Sequence, residues 1–255
     1  MSGHSKWSTI KHQKGAADVK RGTLFTKLSR DIVLAVRQGG SGDPDTNFRL
    51  RLTIDKARSS NMPQDNIIRA IKRGSGEGGE GAESLEELFY EGYGPGGGAI
   101  LLHAVTSNRN RSAAEVRSTF TRGGGNLGDS GCVAWNFENM GVITLEIADE
   151  EKGEELTLLA IDAGAEDVTL EDGMLEVHTT PDKLLEVQTA LEDEGAVQVT
   201  SEISMVPKST VVLGADEAER TLKLLDSLED LDDIQKAYTN ADFPAEVLER
   251  YQANS

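Results

Sequence analysis

The chain has 255 residues, with 26 Lys and Arg against 44 Asp and Glu, for a formal net charge of −18. A hydrophobic share of 37%, with 27 glycines besides, is enough to bury cores and excludes wholesale disorder. The single cysteine, Cys132, excludes a disulfide framework within the chain and a cysteine-rich zinc module, and no stretch approaches the apolar run of about 18 residues that a membrane helix needs.

The first 73 residues read as a helical head. Over 16–38 the apolar positions Val19, Phe25, Leu28, Ile32 and Ala35 recur at helical spacing, and Gly39-Gly40 stops the helix. The run Gly42-Asp43-Pro44-Asp45 predicts a turn. A second helix fits 46–60, with Phe48, Leu52 and Ala57 inward. Pro63 suits the first turn of a third helix that runs to Arg73 and carries Ile67, Ile68 and Ile71. Residues 74–81 then hold five glycines in eight positions, the composition of a linker.

Beyond the linker, strand and helix patterns alternate. Strands are predicted at 99–106 (AILLHAVT), 132–137 (CVAWNF), 142–147, 168–170, 175–179, 197–206, 210–213 and 233–239, and helices at 108–122, 154–163, 181–194 and 216–228. Asp172-Gly173 is a favoured hairpin dipeptide. Residues 141–206 thus follow the βαββαβ order of a ferredoxin-like domain, flanked by two incomplete halves. The first and last strands of such a sheet are antiparallel neighbours, which brings the ends of an insertion together. The expected fold is α+β: an N-terminal helical bundle (1–76), a discontinuous ferredoxin-like domain (82–137 plus 207–240) and an acidic ferredoxin-like domain inserted at 138–206.

Charge follows the same divisions. Residues 1–73 hold 15 Lys and Arg against 6 Asp and Glu, whereas residues 138–206 hold two bases against 19 acids. The chain average argues against a polyanion partner, but the head alone argues for one. Its first residues set Lys6, Lys11 and Lys14 around Trp7 and His12, a pattern of phosphate-neutralising cations with a ring for stacking. Lys20, Arg21, Lys27 and Arg30 extend that field along the first helix. Arg69, Lys72 and Arg73 share one face of the third. Arg109 and Arg111, at a strand-to-helix junction, add a second cationic cluster where Asn108 or Ser112 can cap the helix.

Catalytic readings fail on their own requirements. The chain contains no Gly-Lys dipeptide for a Walker loop, no Gly-x-Ser-x-Gly elbow and no His-Glu-x-x-His pair. Gly74-x-Gly76-x-x-Gly79 spells a dinucleotide fingerprint but follows a helix instead of a strand. Cys132 sits in an apolar pattern as an inert thiol. The acids at 149–155 and 229–233 read as solvated helix ends or turns, without the spacing of a cation loop. No enzyme activity, cofactor or metal is expected.

Several longer strings are specific. They are Gly3-His4-Ser5-Lys6-Trp7, Asp18-Val19-Lys20-Arg21-Gly22, Asn61-Met62-Pro63-Gln64-Asp65-Asn66-Ile67, Tyr90-Glu91-Gly92-Tyr93-Gly94-Pro95-Gly96-Gly97, Asn108-Arg109-Asn110-Arg111, Gly124-Gly125-Asn126-Leu127-Gly128 and Leu228-Glu229-Asp230-Leu231-Asp232-Asp233. Together they closely resemble the YebC/PmpR family, which includes the mitochondrial translational activator of cytochrome c oxidase subunit one. Ser107 stands where the family usually has an acid, and Cys132 where a serine is usual. The resemblance implies a three-domain, non-enzymatic regulator of gene expression in the cytoplasm, described for some members as a DNA-binding transcriptional regulator and for others as a translation factor that relieves ribosome stalling. The expected partner is DNA or ribosomal RNA, gripped by the basic head. The ribosome or another protein is a further partner and no membrane is involved, with a monomer or weak dimer as the assembly.

Overall fold

A computed structural model describes residues 18–77, 85–171, 173–197 and 199–253. These divide into two compact units, one spanning 135–210 and the other made of the described residues up to Ala134 together with those from Val211 onward.

The larger unit begins with three helices: α1 (Asp18–Gly39), α2 (Phe48–Ser59) and α3 (Gln64–Gly74). Their apolar faces meet in a core of Leu28, Ile32, Val33, Ala35, Val36, Leu50, Ile54, Ala57, Met62, Ile67 and Ala70. Gly40 takes φ +64°, the left-handed conformation that ends α1 cheaply only for glycine. Buried Asn47 then fastens two helices at once. Its Oδ1 accepts from the Leu50 amide at 3.1 Å to cap α2, while its Nδ2 donates to the Ala35 and Ser41 carbonyls at 2.9 Å each. The linker expected at 74–81 begins one residue late, since Gly74 closes α3; residues 78–84 lie outside the described residues.

The same unit continues with β1 (Glu86–Tyr93), β2 (Ala99–Thr106), α4 (Arg109–Arg122) and β3 (Asn126–Leu127). Strand β1 has no counterpart among the sequence-predicted strands. It pairs antiparallel with β2 in the register Glu86↔Thr106 to Tyr93↔Ala99, around the Gly94–Gly98 turn in which Gly96 and Gly97 both have positive φ. The predicted strand at 132–137 does not form. The amides of Gly131, Val133 and Ala134 donate instead to the buried carboxylate of Glu91, at 2.6, 2.7 and 2.8 Å, so they are withdrawn from any ladder.

After the smaller unit the chain returns as helix α7 (Ala215–Glu229) and strand β9 (Ile234–Thr239). The sheet order is β3-β1-β2-β9, all antiparallel. Helices α4 and α7 pack on one face over Ile100, Leu102, Ala104, Val116, Phe120, Leu222, Leu225 and Leu228. The predicted strand at 210–213 shrinks to β8 (Val211–Val212), paired parallel with β10 (Ala241–Asp242), before a final helix α8 (Ala245–Ala253).

The smaller unit holds β4 (Phe137–Glu146), α5 (Glu150–Asp162), β5 (Asp167–Glu171), β6 (Met174–Thr179), α6 (Leu184–Asp193) and β7 (Thr200–Pro207). Its antiparallel sheet has the order β5-β6-β4-β7, the ferredoxin-like arrangement that the βαββαβ pattern predicts. Strands β4 and β7 pair from Phe137↔Pro207 to Thr144↔Thr200, so the two ends of the unit meet. Among the described residues, no helix is long and apolar enough to cross a membrane.

Candidate nucleic-acid interface

The candidate residues singled out in the sequence fall into three groups. Lys6, Trp7, Lys11, His12 and Lys14 lie outside the described residues. Lys20 and Arg21 belong to the first turns of α1, and their side chains are likewise not described. The remaining seven can be placed.

Arg69, Lys72 and Arg73 are exposed on the last turns of α3. Arg69 is laid along the helix, its Nε donating to the Asp65 carbonyl at 3.1 Å and its guanidinium to Asn66 Oδ1. Lys72 and Arg73 form no ion pair with a described residue. At a helix C-terminus the dipole accounts for one cation, not for three on a single exposed face that no described carboxylate neutralises.

Lys27 and Arg30 point the other way, into the turn between α7 and β9. The Lys27 ammonium donates to the Glu229 carbonyl, and the Arg30 guanidinium donates to the Asp232 carbonyl and pairs with Asp233 at 3.2 Å. Asp233 is 2% exposed and also receives Arg111 at 2.9 Å, Thr106 Oγ1 at 2.9 Å and Ser112 Oγ at 2.5 Å. Burial alone would raise the Asp233 carboxyl, but the hydrogen bonds from Ser112, Arg111 and Thr106 outweigh it and hold the group below the ordinary carboxylate range. The helix start that carries Arg111 is capped by Asn108, whose Oδ1 accepts from the Arg111 amide at 3.2 Å. Ser112, the other capping candidate, is spent on Asp233. Arg109 is 70% exposed and meets Glu86 at 3.7 Å. Lys27, Arg30 and Arg111 therefore act in this structure as fasteners between α1, α4 and the acidic turn at 229–233, a turn whose sequence reads simply as solvated.

A second fastening site escaped sequence reasoning. Glu87 on β1 accepts from Gln38 at 2.6 Å and Arg49 at 2.8 Å, both from the head, and meets His103 Nε2 of β2 at 2.7 Å. The His103 hydrogen bond, with those from Arg49 and Gln38, holds the Glu87 carboxyl far below the ordinary range despite partial burial. Nearby Asp31, half-buried on α1, shows the opposite. Its burial pushes the carboxyl up against the pull of Lys56, His103 and Arg49. The sequence holds no signal for this cluster, because its members lie on α1, α2, β1 and β2.

Burial and the charge of Glu91 push the Cys132 thiol up, away from a reactive thiolate. Among the described residues no three His, Cys, Asp or Glu side chains gather as a metal set.

Comparison with known proteins adds a separate line. Residues 5–77 match the model of the TACO1/YebC protein N-terminal domain, and residues 85–241 that of the TACO1/YebC second and third domain. Curated relatives named "Probable transcriptional regulatory protein" include one from Moorella thermoacetica, 54% identical over 252 residues and covering 98% of this chain and 99% of the relative. One from Roseiflexus castenholzii is 50% identical over 252 residues, with the same coverage of 98% and 99%. Among solved structures, the conserved hypothetical protein Aq1575 from Aquifex aeolicus is similar at a TM-score of 0.82 and 45% identity, over 94% of this chain and 97% of that one.

Proposed function

The chain belongs to the TACO1/YebC family, and on that premise we propose that it is a non-enzymatic, cytoplasmic regulator of gene expression that grips nucleic acid with its helical head. The observation that carries this reading is the exposed face of α3, where Arg69, Lys72 and Arg73 have no carboxylate partner among the described residues of an otherwise strongly acidic protein. Exposed guanidinium and ammonium groups in such a cluster attract phosphate and release its counterions. The names of the relatives favour transcription as the setting, where the nucleic acid gripped would be DNA.

A second setting, translation at the ribosome, is favoured by the charge map. Outside residues 1–73 the chain holds 11 Lys and Arg against 38 Asp and Glu, which repels an extended duplex but tolerates a local contact by the head. The engagement of Lys27, Arg30 and Arg111 by Asp233 and its turn narrows the cationic footprint further. Sedimentation of cell lysate at low and moderate salt separates the two settings. Co-migration with ribosomes supports translation, retention on chromosomal DNA supports transcription, and migration as the free protein at both salts contradicts nucleic-acid binding altogether.

A further inference from the structure

Helices α1 and α3 leave a groove between them on the surface of the head. It is lined by Phe25, Thr26 and Ser29 from α1 and by Asn66, Arg69 and Arg73 from α3. Among the described residues no carboxylate lines it. Phe25 is half-buried, packed against the head core by one side and open to the groove. Arg69 is held in place by the Asp65 carbonyl and the Asn66 amide oxygen, whereas Arg73 and the Ser29 hydroxyl have no hydrogen bond to a described residue.

We propose that this groove seats an unpaired nucleotide of RNA, with the base against Phe25 and the phosphate between Arg69 and Arg73. The inference rests on reading the head as the nucleic-acid-binding part, and narrows that reading from nucleic acid in general to unpaired RNA. A duplex presents phosphates on a convex ridge and keeps its bases stacked on one another. A ring recessed between two helices is reached only by a base that has left the stack. Loops and bulges of folded RNA supply such bases, and duplex DNA does not. The Ser29 hydroxyl and the Asn66 Nδ2 add neutral donors, and the Thr26 hydroxyl oxygen, whose proton goes to the Gly22 carbonyl at 3.1 Å, adds an acceptor, a set suited to a ribose 2′-hydroxyl, which distinguishes RNA from DNA. The two guanidiniums supply the charge.

The test uses the full chain and four fluorescent probes: a 12-nucleotide single-stranded RNA, the same sequence as single-stranded DNA, a 12-base-pair RNA duplex and a 12-base-pair DNA duplex. The wild type is expected to favour the single-stranded RNA. Phe25→Leu, which keeps an apolar side chain and removes the stacking face, is expected to weaken that complex roughly 10-fold and leave duplex binding unchanged. Arg73→Gln, on an exposed side chain, is expected to weaken every complex and reduce the salt slope by about one. A Phe25→Leu protein that binds single-stranded RNA like the wild type overturns the proposal, as does a wild type that binds duplexes equally well. In that second case the head still binds nucleic acid and only the groove is wrong; binding of no probe overturns both. Should Phe25→Leu fail to fold, 4-thiouridine crosslinking to the wild type decides. A crosslink in the peptide that carries Phe25 supports the groove, and crosslinks confined to other peptides overturn it.

Discussion

Arg30 of helix α1 and Asp233, the residue before strand β9, form an ion pair of 3.2 Å across some two hundred residues of chain. The carboxylate is 2% exposed, so removal of its charge takes a buried anion away from two guanidiniums, those of Arg30 and Arg111. Asp233→Asn is therefore expected to cost about 1.5–3 kcal/mol of stability at pH 7, as for lost charge-assisted hydrogen bonds to partly exposed guanidiniums, read by chemical denaturation. Because the folded carboxyl is held below its unfolded value near 3.9, the Asp233 contribution is complete above about pH 4 and lost as the pH falls. The wild type and the variant should converge in stability in acid. A constant gap between them down to pH 2 contradicts the assignment.

Glu87 and Asp31, neighbours in the second cluster, should respond with opposite signs. Glu87 is held far below its unfolded range and stabilises the fold at neutral pH, so Glu87→Gln is expected to cost about 1.5–3 kcal/mol at pH 7, as expected for lost charge-assisted hydrogen bonds. Asp31 is raised, so its ionised form opposes folding once the pH exceeds its folded value. Asp31→Asn should match or exceed the wild type in thermal stability at pH 7 and lose that advantage toward pH 4. A destabilised Asp31→Asn protein at neutral pH would show that the attraction of Lys56, His103 and Arg49 dominates instead.

Asn47→Ala removes a helix cap and the two side-chain hydrogen bonds to the Ala35 and Ser41 carbonyls, at an expected cost of about 2 kcal/mol in the thermal unfolding of the head. Asn47→Asp, which keeps the capping oxygen but loses the amide donor, should fall between the variant and the wild type.

Glu91→Ala frees the amides of Gly131, Val133 and Ala134. The loop should then open more often, and Cys132 should react with an aromatic disulfide reagent roughly 10-fold faster, which corresponds to about 1.4 kcal/mol of local opening. Unchanged labelling would mean that the apolar neighbours of Cys132 hold the loop without the carboxylate.

Much of the fold is legible in the sequence because its signals are local. The periodic apolar residues of α1 to α3 and the βαββαβ order of 138–206 each depend on neighbours within about ten residues. The failures share one cause, distant partners. Strand β1 reads as EELFYEGY, too acidic to suggest a buried hairpin, and its acids are tolerated because His103, Arg49 and the 131–134 amides meet them. The apolar alternation of 132–137 imitates a strand whose amides Glu91 has already taken. Composition showed that Lys27, Arg30 and Arg111 are cations without showing which anion they face. Among the described side chains of the candidate site, the α3 face and Arg109 stand exposed and apart from Asp233, whereas Lys27, Arg30 and the half-exposed Arg111 are engaged by Asp233 and its turn; Lys6, Trp7, Lys11, His12 and Lys14 lie outside the described residues, as do the side chains of Lys20 and Arg21.

The central claim is that the head binds phosphate through the exposed face of α3. The most direct measurement is the affinity of the full chain for RNA and DNA probes over a range of salt, for the wild type and for Lys72→Glu/Arg73→Glu, a pair of exposed substitutions that leaves the head core intact. The account predicts an affinity loss of at least 10-fold at low salt and a log–log salt slope reduced by about two. Equal affinity and equal slope in the two proteins would contradict it.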